Sequence, residues 1–97
     1  MKTATIYTTS SAVTTGAKTA YHLDNVQGAV ENQNNVGTVQ IVGASTVTVE
    51  GSVDGSNFMP IAASLTSAAG ATLALMPFMR ANVTVASGSS LTVYLVW

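Results

Sequence analysis

Few residues of this chain are equipped for chemistry. Its 97 residues include four acids (Asp24, Glu31, Glu50 and Asp54), three bases (Lys2, Lys18 and Arg80), a single histidine, His22, and no cysteine. Two of the acids fall in EGSVDGSNFMP, residues 50–60. Residues an even number apart share one face of a strand, so Glu50 faces with Ser52 and, if the strand reaches it, Asp54. Paired carboxylates serve acid–base work or hold a metal. A calcium loop needs about five or more oxygen ligands, usually several carboxylates. Asp54, Ser56 and Asn57 fall short of that, but they remain the candidate ligand loop for an ion or a sugar. The plainer reading of Asp54-Gly55 is a hairpin turn, because glycine tolerates the positive φ such turns need.

The other candidates are weaker. A hydrolytic triad built on His22 needs a nucleophile and an acid, and Asp24 would only stack beside it on the same strand face. One histidine and no cysteine leave a transition metal with too few good ligands. Arg80, in PFMRANV, has five donors suited to a carboxylate or several carbonyls. Two readings stand for it: an internal bond to Glu50 or Asp54, or an anchor across a subunit interface. The sequon Asn82-Val83-Thr84 carries no weight without a secretion signal. No nucleophile, base and oxyanion donor form a recognisable set, so the chain is not expected to be an enzyme or to carry a cofactor.

The elements that would position these residues are strands. Val and Thr abound, while helix formers are scarce, and no window keeps a helical apolar stripe. Alternation puts Val47, Val49 and Val53 on one face of the first strand in the C-terminal half. It puts Met79, Ala81, Val83 and Val85 together on the next, and Leu91, Val93, Leu95 and Trp97 on the last. The last strand is apolar on both faces, which marks it as central or covered. Ser87-Gly88-Ser89 separates the final two strands, and Pro60 and Pro77 sit at strand ends. Toward the N-terminus, TATIYTT reads as a strand with Ile6 inward or as an extended arm. Residues 8–19 read as disordered or as a strand added to a neighbour's edge. AKTAYHLD alternates like a strand, NVQGAVENQNNVG reads as a long loop, and VGTVQIVG returns to strand character. About seven or eight short strands at regular spacing predict one all-β domain over 1–97: a small antiparallel, jelly-roll-like sandwich with little or no helix. Residues 1–16 are the candidate arm.

Composition bounds the partners. Charged residues make up 7% of the chain, against about 25% in an average soluble domain. The expected folded surface is roughly 5,000 Å², or about one charge per 700 Å². A near-neutral surface of Thr, Ser, Asn, Gln and Ala suits packing against other subunits. Three scattered cations are too few for nucleic acid. No run of about 18 apolar residues exists to span a membrane. MKTATIYTTSSAV lacks the apolar segment of a signal peptide, so synthesis in the cytoplasm without classical secretion is expected.

The run from Val47 to Trp97 resembles small structural proteins of tailed bacteriophages. The likeness lies in Val49, Gly51, Ser52, Asp54, Gly55 and Phe58, then Phe78, Arg80, Asn82, Val83 and Thr84, and finally Val93 and Leu95. It covers roughly residues 45–97. The phrase S-x-D-G-x-x-aromatic is also similar to carbohydrate-binding and discoidin-type sandwiches. The chain departs from those in its short length and lack of exposed aromatic platforms, and it has Phe58 where Trp is frequent. The resemblance implies a non-enzymatic virion component made in the host cytoplasm, such as a capsid decoration or cement protein. Its partners would be copies of itself, as a ring or trimer, and the major capsid or another virion protein. Ile6, Tyr7, Arg80, Tyr94, Val96 and Trp97 are the interface candidates. The alternative is a tail, neck or fibre module that binds a host glycan through Asp54, Ser56 and Asn57 and the Asn/Gln-rich residues 32–35.

Overall fold

The computed structural model describes residues 3–23, 36–67 and 70–97. Their regular elements are nine strands, with no helix among the described residues. These are β1 (Thr3–Thr9), β2 (Gly16–Ala17), β3 (Tyr21–His22), β4 (Val36–Gly43), β5 (Thr46–Ser52), β6 (Met59–Leu65), β7 (Ala71–Ala74), β8 (Phe78–Val85) and β9 (Leu91–Val96). One sheet, A, has the order β1-β9-β4-β7. The other, B, runs β2-β8-β5-β6, with β3 also on β8.

This order follows from folding one long antiparallel ribbon. β2 and β3 both lie along β8, through Gly16↔Val83 and Tyr21↔Met79, so they act as two pieces of one edge strand. Counting them as one, the first strand pairs with the last, the second with the next to last, and so on inward: β1–β9, β2/β3–β8, β4–β7 and β5–β6. Doubling the ribbon over then sets β9 against β4 and β8 against β5. The result is the eight-strand, two-sheet jelly roll, with every pairing antiparallel.

The two inner faces meet in a core of Ile6, Leu23, Val39, Ile41, Val47, Val49, Leu65, Leu73, Met79, Ala81, Val83, Leu91, Val93 and Leu95. The last strand is central, between β1 and β4, one of the two positions its apolar faces suggested, and Tyr94 on its outer face is exposed. Two residues expected inside are not. Val53 is 72% exposed because β5 ends at Ser52, and Val85 is 57% exposed at the end of β8, beyond a register shift against β5.

The arm reading for residues 1–16 gives way at Thr3–Thr9. These residues form β1, paired with β9 from Thr3↔Val96 to Thr9↔Leu91, with Ala4 and Ile6 buried. From there the chain crosses to sheet B. Val13 donates to the Gly88 carbonyl, and Gly16 opens β2. Residues 8–19 therefore finish β1 and begin β2 within this fold. The loop read in NVQGAVENQNNVG lies mostly outside the described residues, and its last residues open β4.

Leu95, on the central strand β9 of sheet A, has no exposed surface. Leu95→Ala is expected to cost about 2–5 kcal/mol, as buried Leu truncations do. Thr38→Ala, on the exposed face of β4, is expected to stay within about 0.5 kcal/mol. Urea unfolding of both variants at equal m-values checks the contrast.

Candidate functional site

The candidate residues gather on the outer face of sheet B, where β5 and β8 run side by side with Glu50↔Arg80 and Ser52↔Phe78. Alternation dictates the split. Met79, Ala81 and Val83 point into the core, so Phe78, Arg80 and Asn82 point out. Arg80 Nε donates to Glu50 Oε1 at 2.6 Å, and Asn82 Nδ2 donates to Glu50 Oε2 at 3.1 Å. The Arg80–Glu50 bond is the internal reading of Arg80. The pair is partly buried, with 29% and 13% of the two side chains exposed. That places it between a surface ion pair and a desolvated one.

Residues 53–58 link β5 to β6 as an antiparallel hairpin, the turn expected at Asp54-Gly55. The connection, with Gly55 at φ +80°, folds back over this face. Asp54 organises it. Its Oδ1 accepts from the Ser52 hydroxyl at 2.7 Å, the Ser56 N–H at 2.8 Å and the Asn57 N–H at 2.9 Å, and its Oδ2 accepts from Asn57 Nδ2 at 2.8 Å. Ser52 Oγ in turn accepts from the N–H groups of Asp54 and Gly55. The backbone N–H groups of Asn57 and Ser56, then the Ser52 hydroxyl and the Asn57 amide, hold the Asp54 carboxyl well below the usual carboxylate range.

The loop is pressed onto two aromatic rings. A Cβ at Gly55 would come within 3.3 Å of the Phe78 ring. The other side of Phe78 is occupied by His22, stacked at 4.5 Å with 10° between the planes. Phe58 closes the loop by lying under Arg80, whose guanidinium carbon is 4.0 Å from the ring centroid. Gly51 is also required. A Cβ there would run into the Ile61 and Met76 side chains that pack over β5. Thus Ser52, Asp54, Gly55 and Phe58 of one segment and Phe78, Arg80 and Asn82 of another form one clasp. Beside it lies a shallow cleft of about 220 Å³ between Val53, Phe58, Met59 and Met76.

This placement changes several candidate roles. Both oxygens of Asp54 are engaged inside the loop, as are the N–H groups of Ser56 and Asn57, so the ligand loop is occupied by its own turn. Ile6 is only 5% exposed and is spent in the core. Tyr7 and Trp97 pack against that core, and Lys18 lies over the Tyr7 ring. The indole N–H of Trp97 is buried without an acceptor among the described residues. Tyr94, 43% exposed, and Val96 sit on the outer face of sheet A. Asp24 and residues 32–35 lie outside the described residues.

That outer face of sheet A joins two of the interface candidates, Tyr94 and Val96, to residues of β1, β4 and β7 that the sequence did not single out. Register sets Thr5, Tyr94 and Gln40 in one row, Thr3, Val96, Thr38 and Thr72 in the next, and Thr92 beside Val42 in a third. None is charged. The described charges all lie elsewhere: Lys18 beyond β2, Glu50 and Arg80 on sheet B, and Asp54 in its loop. Alternation of polar with apolar residues, such as Thr3-Ala4-Thr5-Ile6 and Thr38-Val39-Gln40-Ile41, was the available signal, but it acquires meaning only once those strands are known to be neighbours.

Among the described residues, no group of three or more His, Cys, Asp or Glu side chains gathers to hold a metal ion. No helix among them is long and apolar enough to cross a membrane. No protein-family model, curated protein or solved structure matches the chain.

Two substitutions test the clasp. Gly55→Ala must adopt φ near +80° and press on Phe78, with an expected loss of about 1–3 kcal/mol. Asp54→Ala is expected to lower the melting temperature at pH 7. The depressed pKa means the carboxylate stabilises the fold at pH values above about 4, its unfolded range. That contribution fades as pH falls below 4 toward the folded pKa, so the melting curves of the two proteins should converge in acid.

Proposed function

We propose that this chain is a non-enzymatic structural protein of a bacteriophage virion, a capsid decoration or cement protein. It works by being covered, and the face that is covered is the outer face of sheet A. Its partners are copies of itself and the major capsid or another virion protein.

The charge-free face carries this reading. A sheet face of Thr, Gln, Val, Ala and Tyr can be buried against another protein without stranding an ionised group, the costliest item to desolvate. Threonine hydroxyls can hydrogen-bond across such a contact, and Tyr94 offers a large, stiff side chain of the type that anchors interfaces. The phage-like motif residues support the reading from the sequence side. In the fold Val49, Val83, Val93 and Leu95 fill the core while Ser52, Asp54, Gly55, Phe58, Phe78 and Arg80 clasp a loop, which is structural work and leaves the opposite face free for partners. The jelly roll itself is shared by capsid proteins, lectins and enzymes, so it supports no single function.

The test compares two single-lysine variants for incorporation into particles, counted by quantitative mass spectrometry against the major capsid protein. Tyr94→Lys places a charge on the covered face. Thr84→Lys places one on the outer face of sheet B, where Thr84 is exposed. Both are expected to keep the wild-type melting temperature within a few degrees. Tyr94→Lys is expected to lose at least about tenfold in copy number, the effect of 1.4 kcal/mol, and Thr84→Lys to load normally. Equal loading of both, or absence of the wild-type chain from particles, overturns the reading.

A further inference from the structure

Two open sheets have four edges, and three of these are blunted. β6 carries Pro60, two register shifts against β5, and Ser64 at φ 56°. β7 is only four residues long, and β2 and β3 have two residues each. Proline, irregularity and shortness are how proteins keep foreign strands off their edges. β1 is different. It runs seven residues, TATIYTT, with no proline and no charge, and its one irregularity is the register shift between Thr5 and Tyr7. Among the described residues it pairs only with β9. Short, uncharged segments of high β-propensity without proline are the ones that recruit another strand.

We infer that β1 is the edge at which a second copy of this chain adds, antiparallel and about a two-fold axis. The two copies of sheet A then join into one eight-stranded sheet. Self-pairing suits this sequence. TATIYTT carries no charge, so no like charges meet across the junction. A two-fold contact uses the same surface on both copies and closes on itself, so it gives a dimer and stops there.

Area supplies the second argument. Four strands at about 4.8 Å spacing and roughly 20–25 Å length present a face of about 400–500 Å². A specific interface takes about 800 Å² per partner. One copy's face is therefore too small, whereas two faces joined edge to edge reach the required size and carry no charge among the described residues. This last step, that the doubled face is what docks on the particle, rests on the proposed structural role. The dimer itself does not.

Sedimentation velocity of the full chain over a wide concentration series, with hydrogen exchange at two of those concentrations, tests the inference. The wild type is expected to sediment as a dimer, and the β1 amides that point away from β9 are expected to gain protection as concentration rises. Thr3→Lys combined with Thr5→Lys changes two exposed positions of β1 and puts four like charges around the junction. It is expected to weaken dimerisation by at least roughly tenfold, with an unchanged circular dichroism spectrum. A wild type that stays monomeric at all concentrations overturns the edge pairing. So does a dimer that survives the double substitution with β1 amides still exchanging freely. Either result would leave the particle-loading contrast between Tyr94→Lys and Thr84→Lys standing, so failure of the dimer and failure of the structural role are separable.

Discussion

The alternation of apolar side chains along β8 and β9 is the constraint on which the rest of the structure depends. Met79, Ala81 and Val83 on one strand and Leu91, Val93 and Leu95 on the other are all essentially inaccessible. These strands are central in their respective sheets, each flanked on both sides. Their inward rows meet at the middle of the sandwich, and the outer pairs of the ribbon are laid down against them. A chain of this size has room for one such core. With so few charges to dress its surface, it relies on threonine to give each strand an outward row that water tolerates and a pleat accepts.

The clasp on sheet B shows how a loop is held where no core is available. Asp54 and Ser52 satisfy one another and four backbone N–H groups between them. The aromatic contacts add a flat apolar floor in Phe78 and a lid in which Arg80 is fixed between Phe58 and Glu50. A carboxylate already surrounded by donors has little left to offer a ligand, and this is why an acidic, glycine-bearing loop can be structural. Thr48 and Ser52 are buried on the nominally outward face because β6 and this loop cover them. Both hydroxyls find backbone partners there, Thr48 from the Ser64 N–H and Ser52 from its own loop.

The two faces of the sandwich have thus divided their tasks. Sheet B carries the described ion pair and the loop clasp and needs its polar groups internally. Sheet A presents a plain hydroxyl and amide face whose cost of burial is low. A protein whose function is to be covered benefits from this division, since the residues that hold the domain together are not the ones that must desolvate against a neighbour. The proposed pairing through β1 extends the same logic, because an uncharged edge and an uncharged face meet along one side of the molecule.

Much of the fold was legible in the residues themselves. Strand identity, the inward rows of the last two strands and the sandwich class all follow from period-two alternation and turn chemistry, which are local properties. For Arg80 the residues offered Glu50 or Asp54 as an internal partner, and the structure selects Glu50. Other features had no local signal. That β1 belongs to its own sheet is decided by β9, some 80 residues along the chain. That Asp54 is an organiser and not a ligand is decided by donors on Ser52, Ser56 and Asn57 and by the Phe78 ring beneath the loop. Val53 and Val85 read as core because alternation cannot tell where a strand stops. The sequence by itself determined which side chains of each strand face together and how little charge there would be to place. Only the tertiary structure decided which strands are neighbours, and so which uncharged rows merge into a face, because adjacency in a jelly roll is set by the doubling of the ribbon and not by nearness in the chain.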